Sequence, residues 1–336
     1  ISMRFLYSVA PDARPAPRKP TETFMTIDIL LTQPLPDAID AELSARYAVH
    51  RLYAAEQPDA LLDRVAARIR GVVTGGANGL AATLMDRLPA LEIVAISGIG
   101  TDAVDLDRAR ARGIHVTTTP DVLTDDVADM AMGLILMTLR DLGAGERIVR
   151  AGRWGKTVQP LATQVTGKRL GIVGLGRVGR AIAQRAQAFR MPVSYFGPRE
   201  HRDSDYRFVP DLAALARDSD VLVIAASADH GNVLVTADVL AALGPKGFLI
   251  NVARGKLVDE AALIRALADG TIAGAGLDVF ANEPHVPAEL LELDRVVVQP
   301  HRASATHETR EEMGRIVLAN LAACFAGQRP PTSVTR

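Results

Sequence analysis

The chain has 336 residues, 48% of them apolar and 23% charged, which is material for two hydrophobic cores of ordinary domain size. A formal net charge of −1 leaves no footprint for nucleic acid or for an anionic membrane surface, while still allowing a local phosphate pocket. Cys324 is the single cysteine, so an intrachain disulfide and a thiolate metal cluster are excluded; the histidines show no close ligand pairing, and a metal-free protein of the reducing cytoplasm is expected.

Residues 10–19 read APDARPAPRK, whose prolines forbid a regular element, so residues 1–24 are expected to form an irregular tail without a secretory signal pattern. Met25 looks like a natural start, because a strand pattern follows at once. Short apolar runs at 27–31, 71–74, 93–96 and 115–117 read as buried strands. Helical periods lie between them at 38–46, 58–68, 81–88 and 106–112. Residues 125–142 predict one helix, apolar on most faces, that must be covered on more than one side by its own domain, a second domain or a second subunit. No stretch has the roughly 18 to 20 apolar residues of a membrane span. Further strands are expected at 169–173, 192–196, 221–225, 247–251, 274–278 and 296–299. Strands alternating with helices predict an α/β protein with two doubly wound parallel-sheet domains, and the second series has the six strands of a dinucleotide fold. A last helix at 305–325 is free to return to the first series, so the expected units are 25–120 with 301–336, and 121–300.

Gly174-Leu175-Gly176-Arg177-Val178-Gly179 follows a strand and opens a helix. In that setting one glycine permits the tight turn, one lets a pyrophosphate approach the backbone, and one lets the helix pack on the strand. The helix N-terminus offers free N–H groups to the phosphates. An NAD-selective site places an acid at the end of the next strand, about 20 residues on. Here that place is Gly197, with Arg199 and Arg202 just beyond. A missing carboxylate removes repulsion of a 2′-phosphate and a guanidinium would bind it, so NADP(H) is expected to be preferred, with NAD(H) accepted.

Three side chains follow strand ends of the second series, where ligands bind in open α/β sheets. Arg254 in NVARG offers a fork that can hold a carboxylate. Glu283 in DVFANEP is a carboxylate able to partner an imidazole and favour its protonated form, and His301 in QPH supplies that imidazole. Together they fit reduction of a 2-keto acid, which needs a cation for the carboxylate and a proton donor for the nascent alkoxide.

The segments VGLGRVGRAIAQRA, NVARGKLVDEAAL, GAGLDVFANEP and QPHRASAT, in this order, resemble the D-isomer-specific 2-hydroxyacid dehydrogenases from about Met25 to the C-terminus. TPDVLTDDVADMAMGLIL and PVSYFGPRE are most similar to the glyoxylate and hydroxypyruvate reductases, including hydroxyphenylpyruvate reductases. The resemblance implies a flavodoxin-like substrate domain beside a Rossmann cofactor domain, and a homodimer joined through the cofactor domains. It implies that Arg254 anchors the substrate, His301 is the acid/base and Glu283 its partner. Asp278, Thr124 and Ala253 would meet the cofactor; Ile99 and Gly100 would offer amides to the substrate carboxylate, with Gly75 and Gly76 in the same cleft. Trp154 is expected to pack structurally rather than to wall a neighbouring subunit's pocket. Other readings on the same fold are a phosphoglycerate or phosphonate dehydrogenase, or a non-catalytic NAD-sensing corepressor.

Overall fold

The computed structural model describes residues 27–228 and 232–335, so the tail expected over 1–24 lies outside the described residues. The first series runs β1 (Asp28–Leu31), α1 (Asp37–Arg46), β2 (Ala48–Arg51), α2 (Pro58–Val65) and β3 (Ile69–Gly75). It continues through α3 (Ala82–Asp86), β4 (Ile93–Ser97), α4 (Leu106–Ala111) and β5 (His115–Thr117). These strands form a five-stranded parallel sheet in the order β2-β1-β3-β4-β5, the flavodoxin-like winding. β4 is buried at every position, as apolar parallel strands covered by helices on both faces should be. β2 is an addition to the expected strands. Ala48-Val49-His50-Arg51 is a half-exposed edge with no apolar run, and His50 Nε2 lies 2.6 Å from Asp28 Oδ1 on the neighbouring strand.

After β5 the chain enters α5 (Thr124–Arg140) and α6 (Leu142–Arg150). The single helix expected over 125–142 is therefore two: Asp141, at φ +49°, takes a left-handed conformation and breaks it. The apolar face of α5 (Ala128, Ala131, Leu134 and Ile135) is buried in one core with Leu170, Ile172 and Ile250. Its cover thus comes from its own half of the molecule.

The second series runs β6 (Leu170–Val173), α7 (Arg177–Ala188), β7 (Val193–Phe196), β8 (Arg207–Phe208), α8 (Leu212–Arg217) and β9 (Val221–Ile224). It ends with α9 (Ala237–Leu243), β10 (Phe248–Asn251), α10 (Glu260–Ala268), β11 (Gly274–Leu277), α11 (Ala288–Leu291) and β12 (Val296–Val298). The sheet is seven-stranded, in the order β12-β11-β10-β9-β6-β7-β8, with every pairing parallel. The expected count of six missed β8, which at two residues is too short to show a strand period. Strand order reverses between β6 and β9, which opens a crevice beyond their carboxyl ends.

The last helix, α12 (His307–Phe325), buries Val317, Leu318 and Leu321 against Ile29, Leu31, Ile93 and Ala95 of the five-stranded sheet. The segment after it runs antiparallel to β5: Val334 N–H donates to the Val116 carbonyl at 2.8 Å, and Thr335 Oγ1 accepts from Val116 N–H at 2.9 Å. No helix among the described residues is long and apolar enough to cross a membrane.

Candidate active site

The carboxyl ends of both sheets open onto one cleft of about 930 Å³. Its dinucleotide side is built by the turn between β6 and α7, where Gly174, Leu175, Gly176, Arg177 and Val178 all line the space. Gly174 sits at φ +96°, and a Cβ there would lie 2.7 Å from the Ala226 backbone. Gly179 allows α7 to close on the turn, since its Cβ would lie 2.1 Å from the Gly174 carbonyl oxygen. Gly176 differs: a Cβ there meets no protein atom within 4 Å, and no side chain caps the N-terminus of α7. Open space above uncapped helix amides is what a pyrophosphate needs, so this turn fits a dinucleotide.

The tip of β7 presents Gly197 to the same cleft, with no carboxylate beside it in the lining. The structure places Arg199 outside that lining and exposed; Pro198 and His201 take the wall on either side of it. In this loop His201 N–H donates to Tyr195 Oη at 2.7 Å. Thr124 and Ala253 also line the cleft.

Arg254 follows β10 in a loop fastened by a buried side chain. Asn251 Nδ2 donates to the Arg254 carbonyl at 3.0 Å, and Ala253 N–H donates to Asn251 Oδ1 at 3.1 Å. Gly255 makes the loop possible, because a Cβ there would lie 1.9 Å from the Phe280 carbonyl carbon. From this base the guanidinium crosses the cleft to the loop after β4. Its Nε donates to Asp102 Oδ1 at 3.1 Å and its Nη1 to the Ala253 carbonyl at 2.8 Å. Ile99, Gly100, Gly75 and Gly76 line this opposite wall.

His301 Nδ1 lies 2.6 Å from Glu283 Oε2, and the other oxygen of Glu283 accepts from Phe280 N–H at 3.0 Å. Burial pushes the Glu283 carboxyl up. The hydrogen bonds from His301 and Phe280 and the charges of His301 and Arg254 outweigh it, holding the group below its ordinary range. An ionised Glu283 fixes the proton on Nδ1, which leaves Nε2 as the nitrogen able to exchange a proton with a ligand. His301 itself has a left-handed backbone, φ +48°, a conformation that costs on the order of 1 kcal/mol or more in a residue with a side chain.

Asp278 braces that conformation. Its backbone carbonyl accepts from His301 N–H at 2.8 Å, and its carboxylate oxygens accept from Arg302 and Ala303 N–H at 2.9 Å each. The carboxyl is buried, and burial is the largest influence on it, raising its pKa against the pull of those amides. Asp278 also lines the cleft, next to Ala303 and His301.

Sequence reading missed Asp102, Gln33, Ser304 and Arg310, all of which line the cleft. Asp102 stood two residues from Gly100, but its partner is 152 positions away, so no local pattern marks it. Trp154 is 81% exposed, against the expectation of structural packing.

Residues 132–303 match the D-isomer specific 2-hydroxyacid dehydrogenase, NAD binding domain. The chain is 44% identical over 308 residues to a 2-ketogluconate reductase of Gluconobacter oxydans, covering 91% of this chain and 98% of that one. It is 44% identical over 310 residues to a glyoxylate/hydroxypyruvate reductase A of Arabidopsis thaliana, covering 92% and 99%. Among solved structures, the NADPH-dependent glyoxylate/hydroxypyruvate reductase of Sinorhizobium meliloti in complex with NADP and malonate superposes with a TM-score of 0.83 at 42% identity, covering 91% of this chain and 96% of that one. Sequence, winding of both sheets and the shared cleft agree: the chain belongs to the D-isomer specific 2-hydroxyacid dehydrogenase family.

Proposed function

We propose that the protein reduces small 2-keto acids of the glyoxylate and hydroxypyruvate type to D-2-hydroxy acids, with NADPH preferred over NADH. The observation that carries this reading is the convergence of Arg254, the His301–Glu283 pair and the glycine turn on one cleft. The cofactor-binding half is 121–300 and the substrate-binding half 25–120 with 301–336. Arg254 receives the substrate carboxylate together with the amides at Ile99 and Gly100. His301, kept protonated on Nδ1 by Glu283, delivers its Nε2 proton to the carbonyl oxygen as charge develops there. When bound, a reduced nicotinamide would supply the hydride for C2, and Asp278 and Thr124, which line the cleft, would help to hold it. The NADPH preference is supported by the carboxylate-free tip of β7 at Gly197.

A homodimer joined through the cofactor halves is supported by the segment around α6. Leu142, Val149, Trp154, Val158 and Leu161 there are 49%, 58%, 81%, 95% and 101% exposed. An apolar run of this kind calls for a partner. The core-facing side of α5 is covered within the chain, and we place the contact on this exposed apolar segment. The buried, unpaired Cys324 accords with the cytoplasmic location we assign.

Steady-state kcat/KM for glyoxylate, hydroxypyruvate, hydroxyphenylpyruvate and 2-ketogluconate, each with both cofactors, tests the reading. Turnover of glyoxylate or hydroxypyruvate with NADPH ahead of NADH supports it. Absence of turnover with any of the acids would place the chain with the NAD-sensing corepressors instead.

A further inference from the structure

The guanidinium expected to receive the substrate carboxylate is already joined to a carboxylate. Arg254 Nε donates to Asp102 Oδ1 at 3.1 Å, and the two side chains are only 23% and 27% exposed. On charge alone the arrangement is counterproductive: an acid beside an anion-binding arginine repels the incoming anion and weakens its binding. Its presence therefore calls for a geometric account.

Arg254 has five N–H donors in a rigid plane. The pair with Asp102 occupies Nε, and the Ala253 carbonyl occupies one donor of Nη1. Nη2 has no hydrogen-bond acceptor among the described residues. It lies over Gly100, 1.7 Å from the place a Cβ would occupy, while Asp102 Oδ1 lies 2.9 Å from that same point. The bare Cα of Gly100 and the carboxylate of Asp102 thus form a cradle on the loop between β4 and α4. It accepts a side chain sent across the cleft from the loop after β10. A long, flexible side chain held at its base alone would spread over several rotamers, and fixing it costs side-chain entropy. Holding Nε removes that freedom before the substrate arrives.

We propose that Asp102 is the positioning residue for Arg254: it fixes the guanidinium by Nε so that Nη2 meets the substrate. Because Asp102 belongs to the five-stranded half and Arg254 to the seven-stranded half, the pair also sets the distance between the two walls at the reacting centre. The inference rests on the keto-acid reading, and it assigns Asp102 no contact with substrate.

Two conservative variants separate position from charge. Asp102→Asn keeps an oxygen able to accept from Nε and removes the negative charge. Asp102→Glu keeps the charge and moves the acceptor by one methylene. The positioning role predicts KM for glyoxylate within about threefold of wild type in D102N. It predicts a rise of about fivefold or more in D102E with kcat also reduced, since a displaced guanidinium weakens both states. NADPH affinity, read from nicotinamide fluorescence, stays within about twofold in both, because the glycine turn is untouched. A lower KM in D102N with an unchanged KM in D102E would show that Asp102 acts by its charge and overturn the proposal. Unchanged KM in both variants would overturn it as well. Failure of the wild-type protein to reduce any of the keto acids would strike the functional reading, whereas wild-type turnover with an unaffected D102E strikes this inference alone.

Discussion

Replacing Gly100 by alanine places a single methyl where the Arg254 guanidinium lies. The backbone tolerates it, because Gly100 is not among the residues with positive φ. The space does not: the new Cβ would stand 1.7 Å from Arg254 Nη2 and 2.9 Å from both Arg254 Cζ and Asp102 Oδ1. Carbon–nitrogen contacts below 3.0 Å are not sustained, so Nη2 must retreat by at least about 1.3 Å. The atom that moves is the end of a flexible side chain, so folding stability should barely change. Catalysis should suffer more, since a misplacement of about 1 Å at a reacting group costs on the order of 10²-fold in rate, or about 2.7 kcal/mol. We expect kcat/KM for glyoxylate at saturating NADPH to fall by about 10²-fold, with Tm lowered by no more than about 2 °C and NADPH affinity unchanged. The assay is the loss of reduced-nicotinamide absorbance over a range of glyoxylate concentrations, paired with thermal unfolding of the same preparation. A kcat/KM within about threefold of wild type would refute the reasoning, because it would mean that the guanidinium is not needed where it lies.

Three further substitutions probe other parts of the molecule. Gly179→Ala sets a Cβ 2.1 Å from the Gly174 carbonyl oxygen, a backbone atom that cannot yield cheaply. Overpacking of about 1–3 kcal/mol there should weaken NADPH binding about tenfold or more, and unchanged affinity by fluorescence titration would argue against the turn as the pyrophosphate site. Gly133→Ala adds a methyl on α5 that meets nothing within 4 Å, so Tm should rise by about 1–3 °C from helix propensity; a fall would show that this face is covered by something outside the chain. Glu283→Gln bears on acid stability. The Glu283 pKa is lower in the folded chain than in the unfolded one, so its contribution is complete above the unfolded value and is lost as pH falls through the folded one. The Tm gap between wild type and the Gln variant should therefore narrow as the pH is lowered below about 4, and a gap that does not change with pH would contradict the assignment.

Burial along one element leaves its period in the chain, and that is why so much of the architecture is legible without coordinates. β4, apolar up to Ser97, and β6 are buried at every position because helices cover both their faces. The glycine turn carries its own constraints within six consecutive residues, and Arg254, Glu283 and His301 each follow a strand whose end faces the cleft. What local pattern does not encode is how elements meet. β2 and β8 are edge strands held mainly by their neighbours, too polar or too short to show a period. The break at Asp141 is a backbone choice made at one residue, and Arg199 faces solvent in a loop whose His201 amide is held by Tyr195 Oη, a contact no local pattern marks. Asp278 had an expected place beside the cofactor, but its grip on the loop that bends His301 into a left-handed conformation depends on β11 and the end of β12 lying side by side. The Asp102–Arg254 pair joins positions 152 residues apart, one on each sheet. Such a contact exists because two carboxyl-end loops are brought face to face across a cleft, and their approach is fixed by the packing of whole sheets rather than by any segment of the chain.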